Sequence, residues 1–229
     1  MLIPKISICV PTYEMNGKGV YFLDRLLKSI EFQIFQNYEV IISDHSDDNL
    51  IEELVKSKSD KRIFYFKNLE NRGKSAQNLN NAIKFSNTEN LKIMFQDDFF
   101  CYNNALNIIT DALESGITWG ATGCLHYENK KYYRPHNPNW NKDIKIGVNT
   151  IGCPSVIFFK KSDILFDENL IWLMDTEFYW RMYKTYGLPF LIKDCLVGIG
   201  THVDQVTNTL ATDLIKQNEL DYVIKKDTL

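Results

Sequence analysis

The sequence predicts an α/β fold with a mainly parallel central sheet flanked by helices. Short apolar, β-branched runs alternate with helical patterns through the first half of the chain, and short links separate them. This alternation is typical of βαβ units, whose right-handed crossovers place parallel strands side by side. Polar clusters follow several of the apolar runs. Because ligands bind at the carboxyl ends of the strands in such a sheet, these clusters are candidates for a functional site.

Seven apolar runs predict strands. They are Ile6–Val10, Tyr38–Ser43, Arg62–Phe66, the start of Leu91–Phe100, Ala121–Tyr127, Val156–Phe159 and Cys195–Ile199. Pro11 is expected to end the first strand, since proline has no N–H to donate to a sheet. The segment between the fifth and sixth strands is long, polar and aromatic.

Helical spacing of apolar residues predicts six helices. They are Val20–Phe32, Leu50–Val55, a helix after Ser75 with Leu79, Ala82 and Ile83 inward, Ala105–Leu113, Asp175–Tyr186 and Leu210–Ile224. Gly187 and Pro189 supply the stop signal for the fifth. The sequence contains no internal repeat and no linker, which favours one continuous domain.

The bulk properties exclude several classes of protein. A net charge of −3 and a pI near 5.8 give no electrostatic footprint for nucleic acid. No apolar run is long enough to span a bilayer, and the first residues do not resemble a signal peptide. The five cysteines are scattered and odd in number, which favours small core residues in a reducing compartment. We therefore expect a cytoplasmic protein.

Two adjacent acids, Asp97 and Asp98, follow the apolar run that begins at Leu91. Neighbouring side chains of a strand point to opposite faces, so both acids can approach one cation only where the strand has ended. Turn formation or helix capping is the structural alternative for such a pair.

The chain has no glycine-rich phosphate loop of the dinucleotide-binding or P-loop kind. Carboxylates are instead plentiful at the predicted strand ends, and they repel a diphosphate unless a divalent cation lies between them. Mg²⁺ and Mn²⁺ prefer oxygen ligands of this type. The sequence therefore indicates Mn²⁺ or Mg²⁺ as the cofactor of any nucleotide site.

An ordered set of motifs resembles family-2 glycosyltransferases of the GT-A fold. The matching pieces are ISICVPTYE, VIISDHSDD, NRGKSAQNLNNAI, FQDD, IGCPSVIFFKK and LMDTEFYWRMYKTYG, and they cover most of residues 4–187. The chain departs from the family at Gln96 and at Ser43, where many members have an acid. The resemblance implies a single GT-A domain over residues 1–229, with a nucleotide-sugar half (1–100), an acceptor half (101–205) and a C-terminal helical segment (206–229).

The resemblance also implies roles for individual residues on the donor side. Thr12, Glu14 and Asp44 would hold the base and ribose, although an Asx-turn is the structural alternative for Asp44. Arg72 and Lys74 would supply cations near the diphosphate, and the alternative for both is simple solvation. The full nucleotide-binding set is Pro11, Thr12, Tyr13, Glu14, Asp44, Arg72, Lys74, Asn78, Gln96 and Asp97. The metal ligands would be Asp98, Asp97 and His202, with Asp98 preferred.

On the acceptor side the resemblance makes Asp175 the general base, with Glu177 as its substitute. Residues two apart on a helix do not share a face, so at most one of them is expected to reach the substrate. The structural alternative is that both acids complement the helix dipole. Trp172, Pro154 and Ser155 would contact the acceptor.

The implied activity is an inverting, metal-dependent transfer of a sugar from a nucleotide diphosphate sugar, of UDP or dTDP type, to a hydroxyl of a glycan or lipid-linked acceptor. The implied setting is the assembly of bacterial surface polysaccharide, lipopolysaccharide or lipid-linked oligosaccharide, with peripheral association at the inner face of the plasma membrane. Two alternatives remain open. One is a nucleotide-sugar-binding protein without turnover. The other is a sugar-phosphate nucleotidyltransferase, which would need a glycine-rich loop bearing arginine after the first strand.

Overall fold

The structure, a computed structural model, describes residues 3–203, 205 and 210–227. Within these residues nine strands form a single sheet. They are β1 (Ile6–Thr12), β2 (Tyr38–Asp44), β3 (Ile63–Lys67), β4 (Asn90–Ile93), β5 (Phe99–Phe100), β6 (Trp119–Glu128), β7 (Lys131–His136), β8 (Ile157–Lys160) and β9 (Phe190–Gly200). Their order across the sheet is β3-β2-β1-β4-β8-β6-β9-β5, and β7 pairs with β6 at the side.

Six α-helices accompany the sheet in the same part of the chain. They are α1 (Gly19–Glu31), α2 (Leu50–Lys58), α3 (Ser75–Phe85), α4 (Ala105–Glu114), α5 (Met174–Tyr186) and α6 (Asp213–Asp227). Short 3-10 turns cover Met15–Gly17, Lys142–Ile146 and Pro154–Val156. Among the described residues, no helix combines the length and the apolar character that crossing a membrane requires.

The α/β fold and the flanking helices are confirmed, and the sheet is mixed. β1 pairs in parallel with β2 and β4, and β2 pairs in parallel with β3. This is the parallel half that the alternating sequence predicts. In the second half β8 runs antiparallel to both β4 and β6, while β9 runs parallel to β6 and antiparallel to β5. The sheet is therefore entirely parallel in the first half of the chain and mixed in the second half.

The first strand continues through Pro11, where the sequence predicted its end. Pro11 is opposite Ser43 in the register of β1 and β2. The carbonyl of Cys9 accepts a bond from the N–H of Met94 on the β4 side, and Pro11, two residues on, faces the same way. Because β4 ends at Ile93, the N–H that proline lacks has no ladder partner to lose there.

The stretch Leu91–Phe100 contains two strands rather than one. β4 ends at Ile93, and the chain turns through residues 94–98 before Phe99 and Phe100 form β5 against Val197 and Gly198 of β9. Both phenylalanines are buried. The strand has therefore ended before the two aspartates, as their convergence on one site requires.

Helix α3 packs on β1 and β2, with the predicted inward residues Leu79, Ala82 and Ile83 all buried. This packing places the first turn of α3 beside the carboxyl ends of both strands. Helix α5 ends at Tyr186, and Gly187 follows with a positive φ of +80°, which favours glycine. The last helix starts three residues later than predicted. Residues 206–209 of the predicted C-terminal segment lie outside the described residues.

Candidate active site

The loops that follow β1, β2 and β4 meet at one edge of the sheet and enclose two adjoining cavities. The first cavity, of about 410 Å³, is lined by residues of the β1 loop, the β2 loop and the start of α3. The second cavity, of about 200 Å³, lies between the β4 loop, the turn at Pro154 and the start of α5. Asp97 and Phe95 line both cavities, so the two spaces lie side by side.

Gln96 joins the loop after β4 to the loop after β1. Its Oε1 accepts a bond from the N–H of Tyr13 at 2.6 Å, and its Nε2 donates to the carbonyl of Tyr13 at 2.9 Å. The side chain is 2% exposed. An ionised acid could accept the first bond but could not donate the second, so an amide suits this position in the present chain. This contact accounts for the departure from the family pattern at Gln96.

Asp44 lies at the end of β2 and is fully buried. One carboxylate oxygen accepts bonds from the hydroxyl of Thr12 at 3.2 Å and from the N–H and hydroxyl of Ser46 at 3.0 and 2.6 Å. The other accepts from the hydroxyl of Tyr65 at 2.7 Å and from Lys67 at 3.4 Å. The bond to Ser46 N–H is the Asx-turn weighed in the sequence analysis. Asp44 is not among the described residues that line either cavity.

Thr12 and Asn78 are brought together behind the first cavity. Asn78 Nδ2 donates to the carbonyl of Thr12 at 3.0 Å, and Asn78 Oδ1 accepts from the hydroxyl of Ser43 at 2.6 Å. Thr12 is 1% exposed and Asn78 is 3% exposed. Asn78 nevertheless lines the first cavity, together with Pro11 from the end of β1.

Arg72 is the cation that the structure places in the first cavity. Its Nε donates to the carbonyl of His45 at 2.6 Å, and its two terminal nitrogens contact Asp47 and Glu14. The guanidinium is thus held beside the loops after β1 and β2. Lys74, by contrast, is exposed at the start of α3 and is not among the described residues that line either cavity.

Both adjacent aspartates line the second cavity, and their binding of one cation stays a prediction. Asp98 is 4% exposed, and its Oδ1 accepts the N–H of Gly200 at 2.9 Å. Burial and then the neighbouring Asp97 carboxylate raise the pKa of Asp98 well above its usual value. Asp97 Oδ2 lies 2.9 Å from Nε2 of His202, which brings the third predicted metal ligand to the pair. Within the described residues, no group of three or more acid, histidine or cysteine side chains is placed so that it could hold a metal ion.

Arg25 of α1 binds the backbone of the loop that carries the two aspartates. No sequence motif identified this residue. Its guanidinium donates to the carbonyl of Asp97 and lies 4.6 Å from the ring centre of Phe99 and 5.3 Å from that of Tyr127. The same carbonyl approaches Gly200 so closely that a Cβ there would overlap it. Cation–π contact therefore fixes the arginine that holds the Asp97 backbone.

Asp175 lines the second cavity from the first turn of α5. Its Oδ2 accepts from Asn149 Nδ2 at 2.7 Å, and its Oδ1 accepts the N–H of Thr176 at 2.7 Å. Burial raises the pKa of Asp175 to about 6. The carboxylate is therefore oriented by two donors, and it is a stronger base than an ordinary aspartate. Asn149 was not identified from the sequence because it lies in a polar loop without a motif.

Glu177 points away from this cavity. Its carboxylate accepts from Arg181 at 2.6 and 2.7 Å and from Lys226 at 2.7 Å, and the residue is 3% exposed. It does not belong to the described lining of either cavity. The expectation that only one of the two acids reaches the site agrees with this geometry.

Of the three residues predicted to contact the acceptor, two line the second cavity and the third is buried behind its lining. Trp172 and Pro154 line the second cavity beside Asp175. Ser155 is fully buried, and its hydroxyl accepts the N–H of Phe95 at 2.8 Å. Ser155 therefore ties the Pro154 turn to the loop that carries the aspartates.

Lys92 is a fully buried lysine of β4 beneath this turn. Its Nζ donates to the carbonyls of Ser155, Ile93 (3.2 Å) and Ile157 (3.3 Å). Burial lowers the pKa of Lys92 to about 7. The ammonium is satisfied by backbone oxygens alone, so its charge is poorly compensated.

We expect the stability of the protein relative to a Lys92→Met variant to rise with pH between about 7 and 10.5. In this interval the unfolded chain binds a proton that the folded chain has lost, because folding lowers the pKa of Lys92 from 10.5 to about 7. The difference is expected to grow by up to ~1.4 kcal/mol per pH unit. Urea unfolding of both proteins at pH 7, 8 and 9 measures it. A constant difference across that range would contradict the prediction.

Comparison with known sequences identifies relatives of this chain. A glucosyltransferase of Campylobacter jejuni, GalNAc(5)-diNAcBac-PP-undecaprenol beta-1,3-glucosyltransferase, is 28% identical over 125 residues, which are 54% of this chain and 39% of that protein. An uncharacterized glycosyltransferase of Rickettsia bellii is 32% identical over 100 residues, which are 43% of this chain and 14% of that protein. The matched region is therefore well under half the length of either relative.

Comparison with solved structures establishes the fold. TarS 1-349 of S. aureus in complex with UDP-GlcNAc matches with a TM-score of 0.75 at 17% identity, over 96% of this chain and 65% of that one. The mannosyltransferase PcManGT of Pyrobaculum calidifontis, in complex with GDP-Man and Mn²⁺, matches with a TM-score of 0.61 at 18% identity, over 89% and 58% of the two chains. The predicted GT-A fold is thereby confirmed.

The family itself is shown by the sequence. The profile described as Glycosyl transferase family 2 matches residues 7–187, which include both aspartates of the β4 loop and the whole of α5. The match covers most of the chain, and this protein therefore belongs to glycosyl transferase family 2.

Proposed function

We propose that this chain is an inverting, metal-dependent glycosyltransferase that moves a sugar from a nucleotide diphosphate sugar to an acceptor hydroxyl. Family membership supports sugar transfer. The observation that carries the finer proposal is that Asp175 shares one cavity with Asp97 and Asp98. This cavity adjoins the one lined by Arg72. A base, a cation-binding pair and a cation for the diphosphate therefore line two neighbouring cavities.

The reaction is a single displacement in which Asp175 is the general base. Asp175 takes the proton of the acceptor hydroxyl while that oxygen forms a bond to the anomeric carbon. The bond from this carbon to the diphosphate oxygen breaks, and its electron pair leaves with the nucleoside diphosphate. Attack and departure occur on opposite faces of the carbon, so the configuration inverts. A pKa of about 6 leaves Asp175 ionised at neutral pH and therefore able to accept the proton.

The donor nucleotide, of UDP or dTDP type, occupies the first cavity in this proposal. Arg72, Glu14 and Asn78 line that cavity and offer donors and acceptors to it. Asp44 supports the site from behind, because both of its oxygens are already bonded to neighbouring side chains. Its contribution is to hold Thr12 and the β2 loop in place.

Asp97 and Asp98 would hold the Mn²⁺ or Mg²⁺ ion. The donor set fits such an ion, since both ligands are hard carboxylate oxygens and both line the same cavity. Burial and then the neighbouring Asp97 carboxylate raise the pKa of Asp98, and a bound cation would relieve the repulsion between the two carboxylates. When bound, the ion would neutralise the diphosphate and assist its departure. His202, beside Asp97, is assigned to this part of the site.

We assign residues 1–100 to the donor half, residues 101–205 to the acceptor half and residues 206–229 to a C-terminal helical segment. The acceptor is a glycan or lipid-linked glycan of a bacterial surface pathway. The relative from Campylobacter jejuni, whose name includes an undecaprenol-linked glycan, supports this choice. The proposed location is cytoplasmic, at the inner face of the plasma membrane through peripheral association.

Incubation with a panel of UDP-, dTDP- and GDP-sugars and Mn²⁺ is expected to release nucleoside diphosphate from at least one donor. EDTA is expected to stop the release, because the proposed reaction needs the cation. Chromatography of the nucleotides measures the product. Binding of UDP and Mn²⁺ without release from any donor would support a binding protein instead. Formation of pyrophosphate in place of nucleoside diphosphate would support a nucleotidyltransferase.

A further inference from the structure

A carboxylate of α6 binds the backbone immediately before α5. Glu219 Oε1 accepts the N–H of Ile171 at 2.7 Å, and Glu219 Oε2 accepts the N–H groups of Trp172 and Leu173 at 2.9 and 2.8 Å. Glu219 is 6% exposed. Three charge-assisted bonds to consecutive N–H groups hold this short segment in one conformation.

This segment and the start of α5 form the side of the second cavity where the acceptor is proposed to bind. Trp172 lies within it, and Asp175 follows two residues after its end; both line the second cavity. The residue before α5 is Leu173, whose side chain cannot cap a helix. The polar partner that a local Ser, Thr or Asp would normally supply therefore comes from α6, 46 residues further along the chain.

Several contacts hold α6 against α5. Trp180 Nε1 donates to Asp227 at 2.7 Å, Lys226 bonds Glu177 at 2.7 Å, and Val223 is 4% exposed within the core. Lys216 lies 5.6 Å above the ring of Trp172. Glu219 is thus presented by a docked helix rather than by a loose tail. The whole of α6 lies beyond the region that matches the family, which ends at residue 187.

We propose that Glu219 is a positioning residue for sugar transfer: it holds the backbone of residues 171–173 so that Trp172 and Asp175 face the cavity. Helix α6 is then a working part of the acceptor half of the site. This inference rests on the proposed function of Asp175 as the base. It does not require Glu219 to touch a substrate, since its oxygens are bonded to the backbone.

The test compares Glu219→Gln and Glu219→Ala with the control Asp221→Asn. Asp221 lies on the same helix, is exposed and bonds Gln217, so its variant removes one charge without touching residues 171–173. The readout is nucleoside diphosphate release from the donor that turns over in the panel. We expect kcat to fall about 10-fold or more in Glu219→Ala, with a smaller loss in Glu219→Gln. KM for the donor is expected to stay within about twofold, because the donor cavity is untouched.

The pH profile separates positioning from a loss of folding. The groups that face Asp175 are Glu219 from α6, Tyr179 on α5 and the pair Asp97 and Asp98 of the β4 loop. Burial is the main cause of the raised pKa of Asp175, and the negative charge of Glu219 adds to it, so removal of this charge in Glu219→Gln is expected to move the acid limb of kcat to lower pH. Asp221→Asn is expected to leave the acid limb of the kcat profile at the wild-type pH.

Hydrogen exchange tests the contact without any turnover. The amides of residues 171–173 are expected to exchange faster in Glu219→Ala, while those of α1 stay as protected as in the wild type. Unchanged exchange at residues 171–173 would overturn the inference, and so would faster exchange with an unchanged kcat and acid limb. A wild-type protein that turns over no donor would refute the proposed function, whereas the exchange result would still report on the Glu219 contact.

Discussion

Replacement of Asp175 by asparagine is expected to lower kcat by about 10²- to 10⁴-fold. Asparagine keeps the volume of the side chain and can still accept the N–H of Thr176, but it cannot take a proton from an acceptor hydroxyl. Binding of UDP with Mn²⁺ is expected to remain, because Asp175 does not line the first cavity. Calorimetry of UDP binding and release of nucleoside diphosphate measure the two effects separately.

The wild-type pH profile supplies the control for this prediction. Asp175 must be ionised to act, and its pKa is about 6, so kcat is expected to fall as the pH decreases through 6. A raised pKa also means that the ionised carboxylate is unfavourable in the folded state above pH 6. Asparagine removes this cost but turns its amide NH2 toward Asn149 Nδ2, which is also a donor, so thermal unfolding of the variant at pH 7.5 is the control for an intact fold. Near-full turnover by this variant would assign the base to another acid, with Glu177 the first to examine.

Replacement of Asp98 by asparagine is expected to weaken Mn²⁺-dependent binding of UDP by at least about 100-fold, the upper end of the loss caused by removing residues that only support a metal ligand. Removal of a proposed direct ligand should cost no less. The matched control is Asp111→Asn on α4, which changes an exposed aspartate in the same way. Titration of UDP into each variant with Mn²⁺, and again with EDTA, gives the measurement.

The stability of Asp98→Asn without metal distinguishes a lost ligand from a damaged fold. Asp98 and Asp97 are adjacent, both largely buried, and their repulsion opposes ionisation of Asp98. Removal of one charge is therefore expected to keep or raise the unfolding temperature of the metal-free protein. If Mn²⁺-dependent affinity for UDP were unchanged in this variant, the cation would have to bind elsewhere.

The sequence predicted those parts of the fold that local periodicity encodes. The buried faces of α1 and α3 repeat at helical spacing, and the strands of the parallel half are continuous apolar runs. It did not predict β7, because the residues of Lys131–His136 are mostly exposed and show no apolar alternation. It also missed β5, since two phenylalanines form a strand only where Val197 and Gly198 come to lie beside them.

Some residues of the candidate site could be named from the sequence, and others could not. Asp97 and Asp98 could be named from their position at a strand end, whereas Asp175 was named only from the resemblance to the family; all three line one cavity. Arg25 and Glu219 could not be named, because a charged residue on an amphipathic helix is usually on the solvent-facing side. Their partners are backbone groups more than 40 residues away in the chain. Such pairings follow from how the helices dock, which local sequence does not specify.

The close approach of Gly200 to the aspartate loop has a consequence for recombining this protein with its relatives. The region shared with the family ends at residue 187, yet the N–H of Gly200 binds Asp98 and the carbonyl of Asp97 leaves no room for a side chain there. A chimaera that joined residues 1–187 to a foreign tail would keep Asp97, Asp98 and Asp175, but it would lose Gly200, which binds Asp98, and Glu219, which binds the backbone before α5. The crossover point for a functional hybrid should therefore lie upstream of β8, so that the segment from β9 to α6 and the start of α5, which it contacts, come from the same protein.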